Sequence, residues 1–205
     1  MTEKHDFYTP LGAYALVLSF SFVAGIVFGL GEAESAHSPG SLLLYARRIL
    51  LVACAALLPL VSGRGGIPAY GWKASPRWLL LSVILGTGIG FGNRGGFEPR
   101  HLSSLLLACF HAFSMELFFR GYLITTFSRS MKSFWGPVLV SSLCYGFFYL
   151  SVWTTWSLSI AGKLIFICLF SLLGILFGYC YKKSGSILVP WLMHFLGVLR
   201  YTSLL

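Results

Sequence analysis

Phe110-His-Ala-Phe-Ser-Met-Glu-Leu-Phe-Phe-Arg-Gly-Tyr122 decides how this chain is read, because it sets Glu116 and Arg120 inside an apolar run long enough to cross a bilayer. On insertion scales a carboxylate or guanidinium at that depth costs about 2.5–3.5 kcal/mol, so such groups face a protein interior or a water-filled cavity. Four residues apart on a helix, the two lie on nearly one stripe and can pair. The stretch therefore predicts a buried ion pair around which neighbouring helices are arranged. Two roles stand open for it: an internal salt bridge that pins one helix to the others, or a catalytic or transport group.

The rest of the chain fits a membrane protein. Hydrophobic residues make up 57% and charged residues 10%, against about 45–50% and 25% in soluble domains. The sequence predicts an all-α, polytopic transmembrane helical bundle of about seven spans, near residues 11–30, 45–62, 78–93, 103–127, 134–152, 161–181 and 186–200. Residues 1–205 read as a single integral membrane domain with no separating linker. The first run, Leu11 to Leu30, exceeds the roughly 7–15 residues of a signal-peptide core, and only a weak small-x-small site, Gly31-Glu32-Ala33, follows it, so an uncleaved anchor is expected.

A net charge of +9 raises the question of nucleic acid, but the basic residues fall between apolar runs, where they set membrane orientation. The expected partner is lipid, and no nucleic acid is implied. Gly31 to Gly40 carries two acids and no base, whereas Arg64, Lys73, Arg77, Arg129, Lys132, Lys182 and Lys183 share the opposite side. The positive-inside rule then puts the N-terminus in the cytoplasm, with Arg94 and Arg100 against the trend. Arg47 and Arg48, near the start of the second run, are expected to snorkel from an interfacial helix.

Gly86-Thr-Gly-Ile-Gly-Phe-Gly92 resembles a phosphate loop only superficially, since no strand precedes it, and Gly174-x-x-x-Gly178 lies in the sixth run. Both predict close helix packing. The five cysteines lie in or beside apolar segments without disulfide-like spacing and read as packing residues. His111 stands four residues before Met115, and His194 lies in the last run. The two intramembrane histidines have no evident third ligand, so no cofactor or metal is assigned, and Asp6 as the only aspartate leaves no Ser-His-Asp set.

Three stretches together resemble a known family. Met115-Glu-Leu-Phe-Phe-Arg-Gly-Tyr-Leu123 is similar to the E-E-x-x-x-R motif of the CAAX protease and bacteriocin-processing (CPBP, or Abi) intramembrane proteases. Ser141 to Leu150 is similar to their F-x-x-x-H motif, and Pro190 to Val198 to H-x-x-x-N, giving a CPBP-like core over residues 100–200. The resemblance implies a helical bundle with a polar cavity, in which the first glutamate and the second-motif histidine activate water. The third-motif histidine and asparagine stabilise the oxyanion. It implies a hydrolase read as glutamic or metal-dependent, acting on prenylated tails or peptide leaders, here in a prokaryotic cell membrane.

Position by position, Glu116, Arg120 and His194 are kept, whereas Met115 replaces the first glutamate, Tyr145 and Tyr149 the second-motif phenylalanine and histidine, and Val198 the asparagine. A thioether accepts no proton, valine donates no hydrogen bond, and a phenol with an ordinary pKa of about 10 is a poor base. Losing a general base removes about 10²–10⁴ in rate, and losing an oxyanion donor about 10²–10³. The expectation is a catalytically impaired pseudoenzyme that binds a membrane-associated peptide or protein. The alternatives are an endopeptidase with rearranged chemistry, using either Glu116 as the base or His111 in the vacated space with Tyr149 as donor, or a small transporter or channel using Glu116 and Arg120.

Overall fold

A computed structural model describes residues 2–28, 41–61, 66–93, 96–151 and 158–201. The Gly31–Gly40 connection with its candidate cleavage site, and the arginines at 64 and 94 used in the orientation argument, lie outside the described residues. The chain is all-helical: α1 Thr2–Phe28, α2 Ser41–Val61, α3 Pro76–Gly92, α4 Leu102–Glu116, α5 Thr125–Ser130, α6 Trp135–Phe148, α7 Ile160–Ser184 and α8 Leu188–Gly197. A π-helical stretch, Leu117–Ile124, joins α4 to α5, so that Leu102–Ser130 is one continuous 29-residue helix with a widened middle.

Local signals fix the helix ends. Pro76 opens α3 at a position whose amide needs no partner. Ser159 accepts from the Gly162 amide at the start of α7, and Gly185, at φ 66°, closes α7 in the left-handed conformation that glycine adopts without strain. The Gly71 carbonyl then accepts from Ile187 N at 2.9 Å, and Lys182 Nζ donates to Ser128 Oγ at 3.1 Å. These contacts gather the α3 start, the α5–α6 turn and the α7–α8 turn, with Lys73, Arg77, Arg129, Lys132, Lys182 and Lys183, at one end of the bundle.

Gly86, Gly90, Gly174 and Gly178 act as the sequence predicts. A Cβ on Gly86 or Gly90 would meet the Met193 or Leu196 carbonyl at 2.6 Å, so α3 and α8 touch through backbone. Gly88 and Gly92 face open space and play no such part. On α7, a Cβ at Gly174 would come 3.0 Å from Ser142 Cα, and one at Gly178 3.0 Å from Val138 Cγ1. These close approaches bring α6 and α7 together along their lengths and set the walls of the interior.

Among the described residues, two helices, Leu102–Ser130 and Ile160–Ser184, are long and apolar enough to cross a membrane. The last expected span is instead a short helix: the ten residues of α8 reach only about 15 Å at 1.5 Å per residue, half of a bilayer core of about 30 Å. The snorkelling expected of Arg47 and Arg48 is also overturned. Both are buried, Arg48 completely, with Arg47 Cζ 5.3 Å from the Phe148 ring centre and Arg48 Cζ 5.9 Å from that of Phe97. Packing of α2 against α4 and the π-helical stretch turns these side chains inward, where aromatic faces receive them. The described cysteines are free thiols, three of them buried.

Candidate functional site

Glu116 ends α4, and Arg120 follows it in the π-helical stretch. Such widened turns occur mostly as local bulges inside α-helices, frequently at functional sites, and this one is held from outside, since Ser141 Oγ on α6 donates to Phe119 O at 2.6 Å. Arg120 Nη1 donates to Glu116 Oε1 at 3.3 Å, and its Nε lies 3.2 Å from Oε2, a charge contact off the line of a good hydrogen bond. Arg120 Nη2 donates to Gly174 O at 3.3 Å, so the predicted pair also ties this helix to α7.

His194 reaches the same carboxylate from α8. Its Nδ1 lies 2.6 Å from Glu116 Oε1, and an ionised carboxylate only accepts, so Nδ1 carries the proton and donates it. In the neutral imidazole Nε2 is then the acceptor nitrogen, and it faces Tyr145 Oη at 3.5 Å. Tyr145 Oη meets Tyr149 Oη at 3.2 Å. A polar chain thus runs Arg120, Glu116, His194, Tyr145, Tyr149. All five side chains are buried, and Glu116 has no exposed surface.

Aromatic rings wrap this chain. The Arg120 guanidinium lies 4.3 Å from the Tyr145 ring centre and 5.3 Å from that of Phe177. His194 stacks on Phe177 at 5.4 Å, and Tyr149 stacks on Phe170 at 3.7 Å. His111 joins the cluster from α4, edge-on to His194 at 5.5 Å between centroids and beside Phe97 at 5.8 Å. The charges of Arg48 and Arg47 also reach it.

The residues singled out from sequence therefore come together, with different contacts from those proposed for rearranged chemistry. His111 packs on His194, while Tyr149 reaches the histidine through Tyr145. Met115 is buried in the apolar core. Val198 contributes backbone alone to the polar contacts here, its amide donating to His194 O at 2.9 Å and its carbonyl accepting from Phe97 N at 2.8 Å. Among the described residues no group of three His, Cys, Asp or Glu side chains is placed to hold a metal ion. The nearby surface groove of about 410 Å³, lined by Trp72, Phe113 and Trp191 among others, contains no residue of the chain from Arg120 to Tyr149.

Residues 98–199 match the family model described as type II CAAX prenyl endopeptidase Rce1-like. The chain belongs to the CPBP family. Comparisons with curated proteins and with solved structures return no match. The matched residues carry every member of the polar chain, and the CPBP motif positions filled here by Met115, Tyr145, Tyr149 and Val198 lie within them. Sequence reasoning missed Arg47, Arg48, Phe97, Phe170 and Phe177 as neighbours of the CPBP site. The two arginines could have been found by the criterion that found Glu116, a charge inside an apolar run; the aromatic residues carry no such signal.

Proposed function

We propose that this CPBP-family protein has a catalytically impaired centre and acts by binding a membrane-associated peptide or protein. One observation carries the reading: the surviving carboxylate, Glu116, is engaged by both Arg120 and His194. A carboxylate so held is occupied as a structural anchor, and Tyr149, at the second-motif histidine position, offers a phenol in place of a base. The setting proposed is the cell membrane of a prokaryote, with residues 1–205 forming one integral domain and the N-terminus in the cytoplasm. The test uses the purified full chain in proteoliposomes with a prenylated tail peptide. Saturable binding without hydrolysis is expected. Hydrolysis lost in both Glu116→Gln and His194→Ala would overturn the proposal.

The bond from His194 Nδ1 to Glu116 favours a second reading. An imidazole anchored to a carboxylate through one nitrogen presents the other as a base, the arrangement used to orient catalytic histidines. In this reading His194 Nε2 takes the proton from water in an active endopeptidase, and His111, beside it, holds the imidazole in place. The same assay separates the two, because hydrolysis would then fall on His194→Ala and on His111→Ala.

A further inference from the structure

His111, packed on the histidine of the polar chain, is covered by Phe97. The Phe97 ring lies against both His111 and Arg48, with its centroid 5.8 Å from that of the imidazole and 5.9 Å from Arg48 Cζ. Phe97 is half-buried, whereas His111 and His194 are buried, so the ring covers His111 near the end of the bundle where α3 finishes and α4 begins.

Phe97 is held there by the residues that follow α8. Phe97 N donates to Val198 O at 2.8 Å, and Arg200 N donates to Phe97 O at 2.9 Å, making a single parallel bridge between Phe97 and Leu199. Arg200 Nη2 pairs with Glu98 Oε1. Two neighbours shape the contact: Asn93 Nδ2 donates to Gly197 O at 3.2 Å, and a Cβ on Gly96 would lie 2.0 Å from Val198 O. Only glycine lets the segment come this close.

We infer that residues 96–98, clasped onto residues 198–200, form a gate, and that its release admits water and an extended peptide segment to His111 and His194. A bridge one residue wide lacks the cooperative ladder of a sheet. The Glu98–Arg200 pair is 43% and 32% exposed, so it is weak and screened by salt. Opening breaks two backbone hydrogen bonds, a surface ion pair and the ring contacts of Phe97 with His111 and Arg48, and leaves the glycine-mediated packing of α3 on α8 intact. Local openings of this kind draw on the least stable contacts of a fold.

The gate rests on the Glu116–His194 cluster being the working site. Its test reads access instead of binding or hydrolysis, so either idea can fail alone. The full chain in lipid nanodiscs is treated with diethyl pyrocarbonate, and carbethoxylation is followed by mass spectrometry at His111 and His194, with exposed His101 as the dose reference. Glu98→Arg sets two cations against each other and is expected to raise labelling of both buried histidines about fivefold or more. Adding Arg200→Glu restores an opposite pair and should bring labelling back near the parent rate. Phe97→Leu, which leaves the clasp's backbone bonds in place, should raise labelling on its own and serves if Glu98→Arg folds poorly. Equal labelling in parent, Glu98→Arg and Phe97→Leu overturns the gate, as does a rise that Arg200→Glu fails to reverse.

Discussion

From α4, the π-helical stretch and α8 the interior receives Glu116, Arg120, His111 and His194, whereas α6, its short continuation and α7 supply Tyr145, Tyr149, Phe170 and Phe177. The first wall is ionic and the second aromatic. They meet where the Arg120 guanidinium lies against the Tyr145 ring and where His194 is stacked on Phe177. The difference teaches that retention of charge does not require retention of chemistry. A buried ion pair persists because removing one partner strands the other, and that constraint acts whether or not a reaction is catalysed. The residues of the second wall have no such tie to a charge of their own.

Glu116→Ala breaks this comparison most directly. Arg120 would keep its Gly174 carbonyl and its aromatic faces but lose its counter-charge, and His194 would lose the acceptor for Nδ1. Leaving a buried charge uncompensated costs about 3–5 kcal/mol. Thermal unfolding in nanodiscs should therefore drop sharply, with Glu116→Gln intermediate because the amide can still accept from His194. A Glu116→Ala variant as stable as the parent would mean that the ionic wall is not what holds this interior.

Restoring the family side chains tests the other wall. The triple change Met115→Glu, Tyr149→His and Val198→Asn replaces a thioether, a phenol and an isopropyl group by the base and donor groups that the motifs carry. A regained general base is worth about 10²–10⁴ in rate, so turnover of a prenylated tail peptide in proteoliposomes should rise at least about 100-fold over the parent. Each single change should leave it near background. A folded triple variant with no gain would locate the proposed impairment in the closed aromatic packing and not in the missing groups.

Sequence made one wall far more legible than the other. The spacing of Glu116 and Arg120 forecast their pairing, and the glycines at 86, 90, 174 and 178 forecast where helices touch, because each signal lies within one helix. His194 could be joined to Glu116 only through the family motif, since 78 positions separate them and nothing local records the contact. The widened turn at Leu117–Ile124 depends on support such as Ser141, from another helix. Arg47 and Arg48 were misplaced because snorkelling and burial give the same local pattern, and only the packing of α2 decides between them. The Phe97–Leu199 bridge joins two irregular segments and left no trace in periodicity.

Gly174→Leu probes the seam between the walls with a smaller expected effect. The new side chain would push against Ser142, whose Cα lies 3.0 Å from the Cβ position, and would move the carbonyl that Arg120 uses. Overpacking of this kind costs about 1–3 kcal/mol. Unfolding free energies from denaturation of Gly174→Leu and of Gly88→Leu, where a Cβ meets nothing within 4 Å, should differ by that amount, with the lower midpoint in Gly174→Leu. Equal midpoints would show that α6 and α7 can separate without disturbing the site.

Tyr145→Phe should give the smallest change and separate the ring of the second wall from its hydroxyl. The phenol oxygen links Tyr149 at 3.2 Å to His194 Nε2 at 3.5 Å, the latter at the limit of hydrogen bonding. Removing it should therefore cost about 1 kcal/mol or less. The ring that faces Arg120 at 4.3 Å remains. Tyr145→Leu removes both the hydroxyl and the aromatic face and should cost more, because a buried guanidinium gains about 2 kcal/mol from a desolvated ring. Chemical unfolding of both variants in the same lipid reads the difference. A larger loss in Leu than in Phe makes the second wall a bed of rings for Arg120; equal losses would make the hydroxyl chain from His194 to Tyr149 the stronger tie, and would favour the reading in which His194 Nε2 is held ready for a proton.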